Sequence, residues 1–272
     1  MISKKNITIA EMKKCELEML LFIDEICNRH GLRYYLAYGT LLGAVRHKGF
    51  IPWDDDVDVA MPRNDFIKLC RLLPSNTPYA LVSSYTTKGY TVPFAKLYDK
   101  RTELKQNYSF LERVELGVYI DIFILDGFPT SSSLARIHSE KINKYMKGWY
   151  WANTKFRVSN SLLRDSVRFV LTIPCRIKGA IFYSELLNNT LSVYDFDESV
   201  LVSDASSMDP LSKCTMLKDV YGEGTLLEFE GHMFSAPQKY DDYLRINYGD
   251  YMRIPDEKDR VSNHNYVAYW RD

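Results

Sequence analysis

The sequence has no surplus of either charge sign. Its 272 residues carry 35 Lys and Arg against 35 Asp and Glu. A dedicated nucleic-acid binder is normally basic overall, so nucleic acid is not an expected partner. Glycine (13) and proline (10) are scarce, which leaves little room for long disordered tracts. The five cysteines stand at 15, 27, 70, 175 and 214, odd in number and without Cys-x-x-Cys spacing. A disulfide framework or a structural zinc site is therefore not expected, and reduced thiols in a cytoplasmic protein are. No run of 18 apolar residues offers a membrane span, and the N-terminal residues lead into a charged helical pattern rather than an apolar signal core.

What is present is ordinary folded composition, 46% hydrophobic, with many aromatics: 20 Tyr, 13 Phe and 4 Trp. Thr8 and Glu11 have capping-box spacing ahead of Met12, Cys15, Met19, Phe22, Ile23, Ile26 and Cys27, which recur at helical intervals as far as Gly31. An amphipathic helix is expected from about residue 8 to 30. Tyr34 to Tyr38 reads as a strand ended by Gly39, and Thr40 to Arg46 as a short helix. Asp56 to Met61 alternates acidic with apolar, the period of a strand with one polar face. Asn64 is placed to cap a helix over 65–73, and further strands are expected over 79–85, 92–97 and 118–123. The fold class is α+β, a mixed α/β core around a small sheet.

Composition shifts near residue 130. Residues 136–178 hold ten basic residues, opposed only by Glu140 and Asp165, together with Trp149, Tyr150, Trp151 and an apolar run over 169–173. This stretch reads as helical, broken near Pro174. Three parts are expected: a catalytic core over 1–130, a basic helical insertion over 131–198, and a C-terminal part over 199–272 that completes the core. A basic stretch with Trp, Phe and Leu suits peripheral contact with a membrane, and a solvated basic face is the plainer alternative.

Three pieces carry chemistry. Gly39-Thr40 stands at a strand-to-helix turn, where backbone amides and the helix N-terminus suit a phosphate, although plain capping gives the same pattern. Trp53-Asp54-Asp55-Asp56-Val57-Asp58 packs four carboxylates into five residues ahead of an apolar strand. Alternation would set Asp54, Asp56 and Asp58 on one face, where they need a cation or must take up protons. Oxygen-only ligands point to Mg2+, with Mn2+ second. The third piece is Asp121, alone among the apolar residues of 118–123. It is either an edge-strand residue facing water or the third carboxylate of the site, as ligand or as base. Together these make a phosphoryl-transfer site.

The stretch from Tyr38 to Val59, YGTLLGAVRHKGFIPWDDDVDV, resembles the signature of the LicD family, which includes the fukutin-related proteins and belongs to the nucleotidyltransferase-fold superfamily. Residues 117–126 (GVYIDIFILD) and Tyr248-Gly249-Asp250-Tyr251 with Pro255 resemble its later blocks. The resemblance implies a nucleotidyltransferase-like core in which Gly39 and Thr40 bind phosphate and Asp56, Asp58 and Asp121 hold Mg2+. It also implies transfer of phosphocholine or a related phospho-alditol from a CDP-linked donor to a glycan hydroxyl, with release of CMP. The acceptor would be lipid-linked and met at the inner face of the cell membrane.

Other candidates carry less. Asp54 shares the facing of Asp56 but lies outside the core pattern. Arg46 is placed as a phosphate clamp or as an ion pair with the acidic cluster. His47 is either structural or substrate-facing, and Trp53 either stacks on a base or packs the loop. Lys96 is either a phosphate ligand or a solvated lysine. Arg260 and His264 are candidates for the acceptor side. Two other functions remain open: a nucleotide-sugar glycosyltransferase, which also uses Asp-x-Asp, and a non-catalytic glycan-binding relative.

Overall fold

The computed structural model describes residues 5–105, 114–155, 161–260 and 267–271. The chain opens with α1 (Ile9–His30). Thr8 accepts from the Glu11 amide and Glu11 returns to the Thr8 amide, closing the capping box, and Gly31 ends the helix at φ 62°. Strand β1 (Tyr35–Leu36) is shorter than its aromatic run suggests, because the chain enters α2 (Tyr38–His47) early. Then come β2 (Asp58–Pro62), α3 (Arg63–Leu72), β3 (Tyr79–Val82), β4 (Ala95–Asp99), β5 (Thr102–Lys105) and β6 (Tyr119–Phe128). Helices α4 (Ser132–Asn153) and α5 (Leu162–Leu191) follow. The C-terminal part carries β7 (Leu201–Ser203), the short α6 (Leu211–Cys214), β8 (Thr215–Leu217), β9 (Thr225–Phe229), β10 (His232–Ala236), α7 (Tyr240–Tyr248) and β11 (Val267–Trp270).

The main sheet has seven strands. Five run in the order β1-β2-β6-β4-β3, and β7 extends the far end of β6 and pairs with β8. Only β2 and β6 are parallel; every other pair is antiparallel. The fold is thus α+β. Both faces of the central strands are covered: Val59, Ala60, Met61, Ile120, Ile122 and Leu125 are fully buried. Near-continuous apolar sequence is what a two-sided strand requires. Asp121 therefore sits on a central strand, which removes the edge-strand reading.

Three local expectations differ from the structure. Residue 62, a proline, precedes α3 where Asn64 was expected to cap; Asn64 lies in the first turn and its amide donates to Asp195 Oδ2 at 2.8 Å. Strand pairing stops at Val82 and starts only at Ala95, trimming the two runs expected over 79–85 and 92–97. The break in the basic helix falls at Gly179 (φ 82°, ψ 159°), not at Pro174. A proline removes one backbone hydrogen bond, whereas this backbone geometry is open only to glycine. Among the described residues no helix is long and apolar enough to cross a membrane.

Candidate active site

The site begins with register. Asp58 on β2 lies opposite Asp121 on β6, and Asp121 lies opposite Lys96 on β4. Facing residues on neighbouring strands project from the same face, so Asp58, Asp121 and Lys96 form one row across three strands. Lys96 Nζ donates to Asp121 Oδ1 at 2.5 Å, with Nζ also 3.6 Å from the Tyr119 ring centroid. Lys96 is 3% exposed, so the solvated-lysine reading fails. It is the buried counter-charge of Asp121 rather than a surface arm. Burial lowers its pKa, against the pull of Asp121, Asp58 and Asp56.

Asp58 is buried as well, and its pKa is pushed well above the ordinary carboxylate range. Burial is the main cause, followed by the negative charges of Asp56, Asp121 and Asp54, with Lys96 opposing. The four carboxylates thus crowd one place. Of Asp54, Asp56 and Asp58, however, only Asp58 is on β2. Asp54 and Asp56 lie in the loop ahead of β2, so strand alternation does not explain how they come together. The loop does, and Gly39 shapes it: a Cβ on Gly39 would lie 2.5 Å from Asp54 Oδ2. Any other residue there would push the Asp54 carboxyl away.

Thr40 is buried and serves the strand. Its Oγ1 accepts from the Asp58 amide at 2.8 Å, and the Ala37 amide donates to the Asp58 carbonyl at 3.0 Å. These two bonds clamp the entry of β2 to the start of α2. Gly39 and Thr40 are the second and third residues of α2, where amides have no intrahelical acceptor. Tyr38, the first residue, has φ 42°, a left-handed backbone that a tyrosine rarely adopts.

A cleft of about 390 Å³ opens here, lined by Gly39, Arg46, Trp53, Asp54, Tyr248 and Arg253 among others. Arg46 makes no ion pair with the acidic loop. Its Nη1 donates to the Tyr251 carbonyl at 3.1 Å and its Nε to His47 Nδ1 at 3.4 Å. Burial, then Arg46, lowers the His47 pKa and so favours the neutral imidazole. Two guanidinium groups lie near the Trp53 ring, with the carbon of Arg46 at 5.8 Å and that of Arg260 at 5.3 Å from its centroid. The lining of the cleft thus mixes the carboxylates of Asp54 and Asp250 with cationic and aromatic side chains. His264 lies outside the described residues.

Two groups escaped sequence reasoning. Glu16 on α1 is fully buried with no hydrogen-bond partner for either oxygen among the described residues, and its pKa stands well above normal through burial and then Asp56 and Asp55. Its spacing from Met12 and Met19 places it on the apolar stripe of α1, which was a legible signal. Asp204 accepts from the Tyr38 hydroxyl at 2.5 Å, while its Oδ1 is buried without a partner. Burial raises its pKa to about 7. The pair is 166 residues apart in the chain, and no local pattern announces it.

Among the described residues no group of three or more His, Cys, Asp or Glu side chains is arranged to hold a metal ion unaided. A magnesium ion does not require such a cage. It is commonly held by one or two carboxylates and completed by substrate phosphate oxygens. Asp56 and Asp58 have the all-oxygen chemistry of that mode, whereas the three-carboxylate set expected with Asp121 is not assembled among the described residues, Asp121 being held by Lys96.

Residues 31–124 match the model of the LicD/FKTN/FKRP nucleotidyltransferase domain, a span that holds every sequence-predicted site residue except the C-terminal candidates. The chain is 28% identical over 281 aligned residues to the lipopolysaccharide cholinephosphotransferase LicD of Haemophilus influenzae, covering 97% of this chain and 99% of that one. It is 42% identical over 48 residues to the human ribitol 5-phosphate transferase FKRP, covering 18% of this chain and 10% of that one. An uncharacterised protein of Rickettsia prowazekii is 34% identical over 107 residues, or 39% of this chain and 36% of that one. Over residues 31–124 the chain thus resembles the LicD/FKTN/FKRP nucleotidyltransferase domain, and over most of its length it is similar to LicD of Haemophilus influenzae.

Proposed function

We propose that this protein is a metal-dependent phosphotransferase. It moves phosphocholine, or a related phospho-alditol, from a CDP-linked donor to a hydroxyl of a cell-surface glycan and releases CMP. The observation that carries this reading is the Asp58–Asp121–Lys96 row beside the Gly39 turn. The names of the relatives support the chemical class: one acts on lipopolysaccharide with a cholinephosphate group, another carries ribitol 5-phosphate.

Asp56 and Asp58 would hold the divalent cation, Mg2+ or Mn2+. When bound, that ion neutralises phosphate oxygens and draws charge from the leaving group. The first-turn amides of α2 at Gly39 and Thr40 take further phosphate oxygens. Arg46, with no acidic partner among the described residues, and Arg253 supply cationic donors in the lining of the cleft. Trp53 offers a flat surface for the cytosine near Arg46 and Arg260. Lys96 fixes the Asp121 carboxylate through Oδ1, so that Asp121 is held where it can orient or accept the proton of the attacking hydroxyl. The acceptor glycan is carried on a lipid and met at a membrane surface on the cytoplasmic side.

The test is Asp58→Asn assayed with CDP-choline and Mg2+. Loss of one such group is expected to lower CMP release by ~10²–10³ or more while the circular dichroism spectrum is retained. Turnover near that of the parent protein would sink the assignment, and release of a nucleoside diphosphate from a nucleotide-sugar would replace it with glycosyl transfer.

A further inference from the structure

The helices between β6 and β7 display what the rest of the fold hides. On α5, Leu163 is 76%, Leu171 74% and Ile177 80% exposed, with Val167 and Val170 more than half exposed. These five fall on one stripe of the segment that precedes the break at Gly179. Monomeric soluble proteins seldom leave so continuous an apolar strip in water.

A groove of about 830 Å³ opens beside this stripe, between α4 and α5. Leu163, Val167 and Leu171 line it, and Lys144, Lys147 and Arg164 stand around them. Among the described residues no acidic side chain pairs with any of these three cations. The stretch from 136 to 178 has ten basic residues and two acidic ones. Apolar surface flanked by unneutralised cations matches a layer of acyl chains under anionic headgroups. No helix here is fit to span a bilayer, so the contact is at its surface.

We propose that this face of α4 and α5 docks on the surface of an anionic phospholipid bilayer. Leu163, Val170, Leu171 and Ile177 enter the acyl region, and Lys144, Lys147 and Arg164 meet headgroup phosphates. The inference deepens the membrane contact of the proposed function, but it rests on this surface and not on the transfer chemistry.

The experiment is flotation of the full chain with vesicles of phosphatidylcholine alone and of phosphatidylcholine mixed with phosphatidylglycerol. The protein is expected to float with the mixed vesicles at low salt, to be released at high salt, and to stay behind with phosphatidylcholine alone. Leu171→Asp with Ile177→Asp, and separately Lys147→Glu with Arg164→Glu, should each weaken binding ~10-fold or more. Both pairs replace solvent-facing side chains, and an unchanged circular dichroism spectrum checks that they fold. Asp58→Asn should float like the parent protein, so failure of the catalytic reading is separable from failure of this one. No flotation with anionic vesicles at low salt, equal flotation with neutral ones, or full binding by the Asp double variant overturns the proposal. A parent dimer that the Asp double variant abolishes also overturns it, by assigning the face to a second copy.

Discussion

The sheet and the α4–α5 excursion treat charge and apolar surface in opposite ways. Around the sheet, charged groups are inside. Lys96 and Asp121 pair beneath the site, and Arg63 forks onto Asp126 with Nη2 to Oδ2 at 2.6 Å while also donating to Asn188 at 2.7 Å. In the excursion Ile142, Trp149 and Leu187 are buried, but a row of large apolar side chains lies outside, on the stripe from Leu163 to Ile177. The contrast separates two kinds of work. A buried charge is held by its partners and cannot relax, which suits a site where phosphate must be met in one geometry. An exposed apolar stripe contributes little to the fold.

The comparison can be broken at either end. The largest effect on stability is expected from Arg63→Ala, which strands the buried Asp126 carboxylate and its pKa of about 6 without a cation. Removing one partner of a buried pair typically costs about 3–5 kcal/mol, read as a fall in the urea midpoint. Next comes Asp204. Burial raises its pKa to about 7 from an ordinary 3.8. Across that window the folded protein keeps a proton that the unfolded chain releases, so stability falls as pH rises and levels off above it. Asp204→Asn keeps an acceptor for the Tyr38 hydroxyl and removes the titration. Its Tm should fall less than that of the parent protein over the same pH range; parallel curves would remove Asp204 as the cause.

Smaller effects belong to the excursion. Gly179→Ala forces a side chain onto the positive-φ break in α5 and should cost about 1–3 kcal/mol by thermal melting. Leu171→Asp should change stability by no more than about 0.5 kcal/mol, since its side chain faces water. A large loss there would show that the stripe is part of the core after all, and the contrast between the two regions would disappear.

What the sequence made legible was local. The capping box at Thr8, the stop at Gly31 and the apolar stripe of α1 are all set by neighbours in the chain, and all are present. Asp58 and Asp121 were legible because a carboxylate inside an apolar strand is conspicuous. The loop placement of Asp54 and Asp56 was not, because it depends on contact with Gly39, a residue from another element. Lys96 looked like any surface lysine until β4 paired with β6 and buried it against Asp121. The Tyr38–Asp204 bond joins segments whose proximity only the finished sheet decides.

One pairing shapes what variation the architecture can absorb. Phe128 and Leu201 face each other where β6 meets β7, so residues 129–200 leave the sheet and rejoin it at a single point. That detour is tied back to the core by Arg63 to Asn188 and Asn64 to Asp195, so a change in its outer stripe is felt by the alignment of Asp58 with Asp121 through ties of that kind. The outer stripe and the carboxylate row are thus joined by few bonds and separated by a whole helix pair.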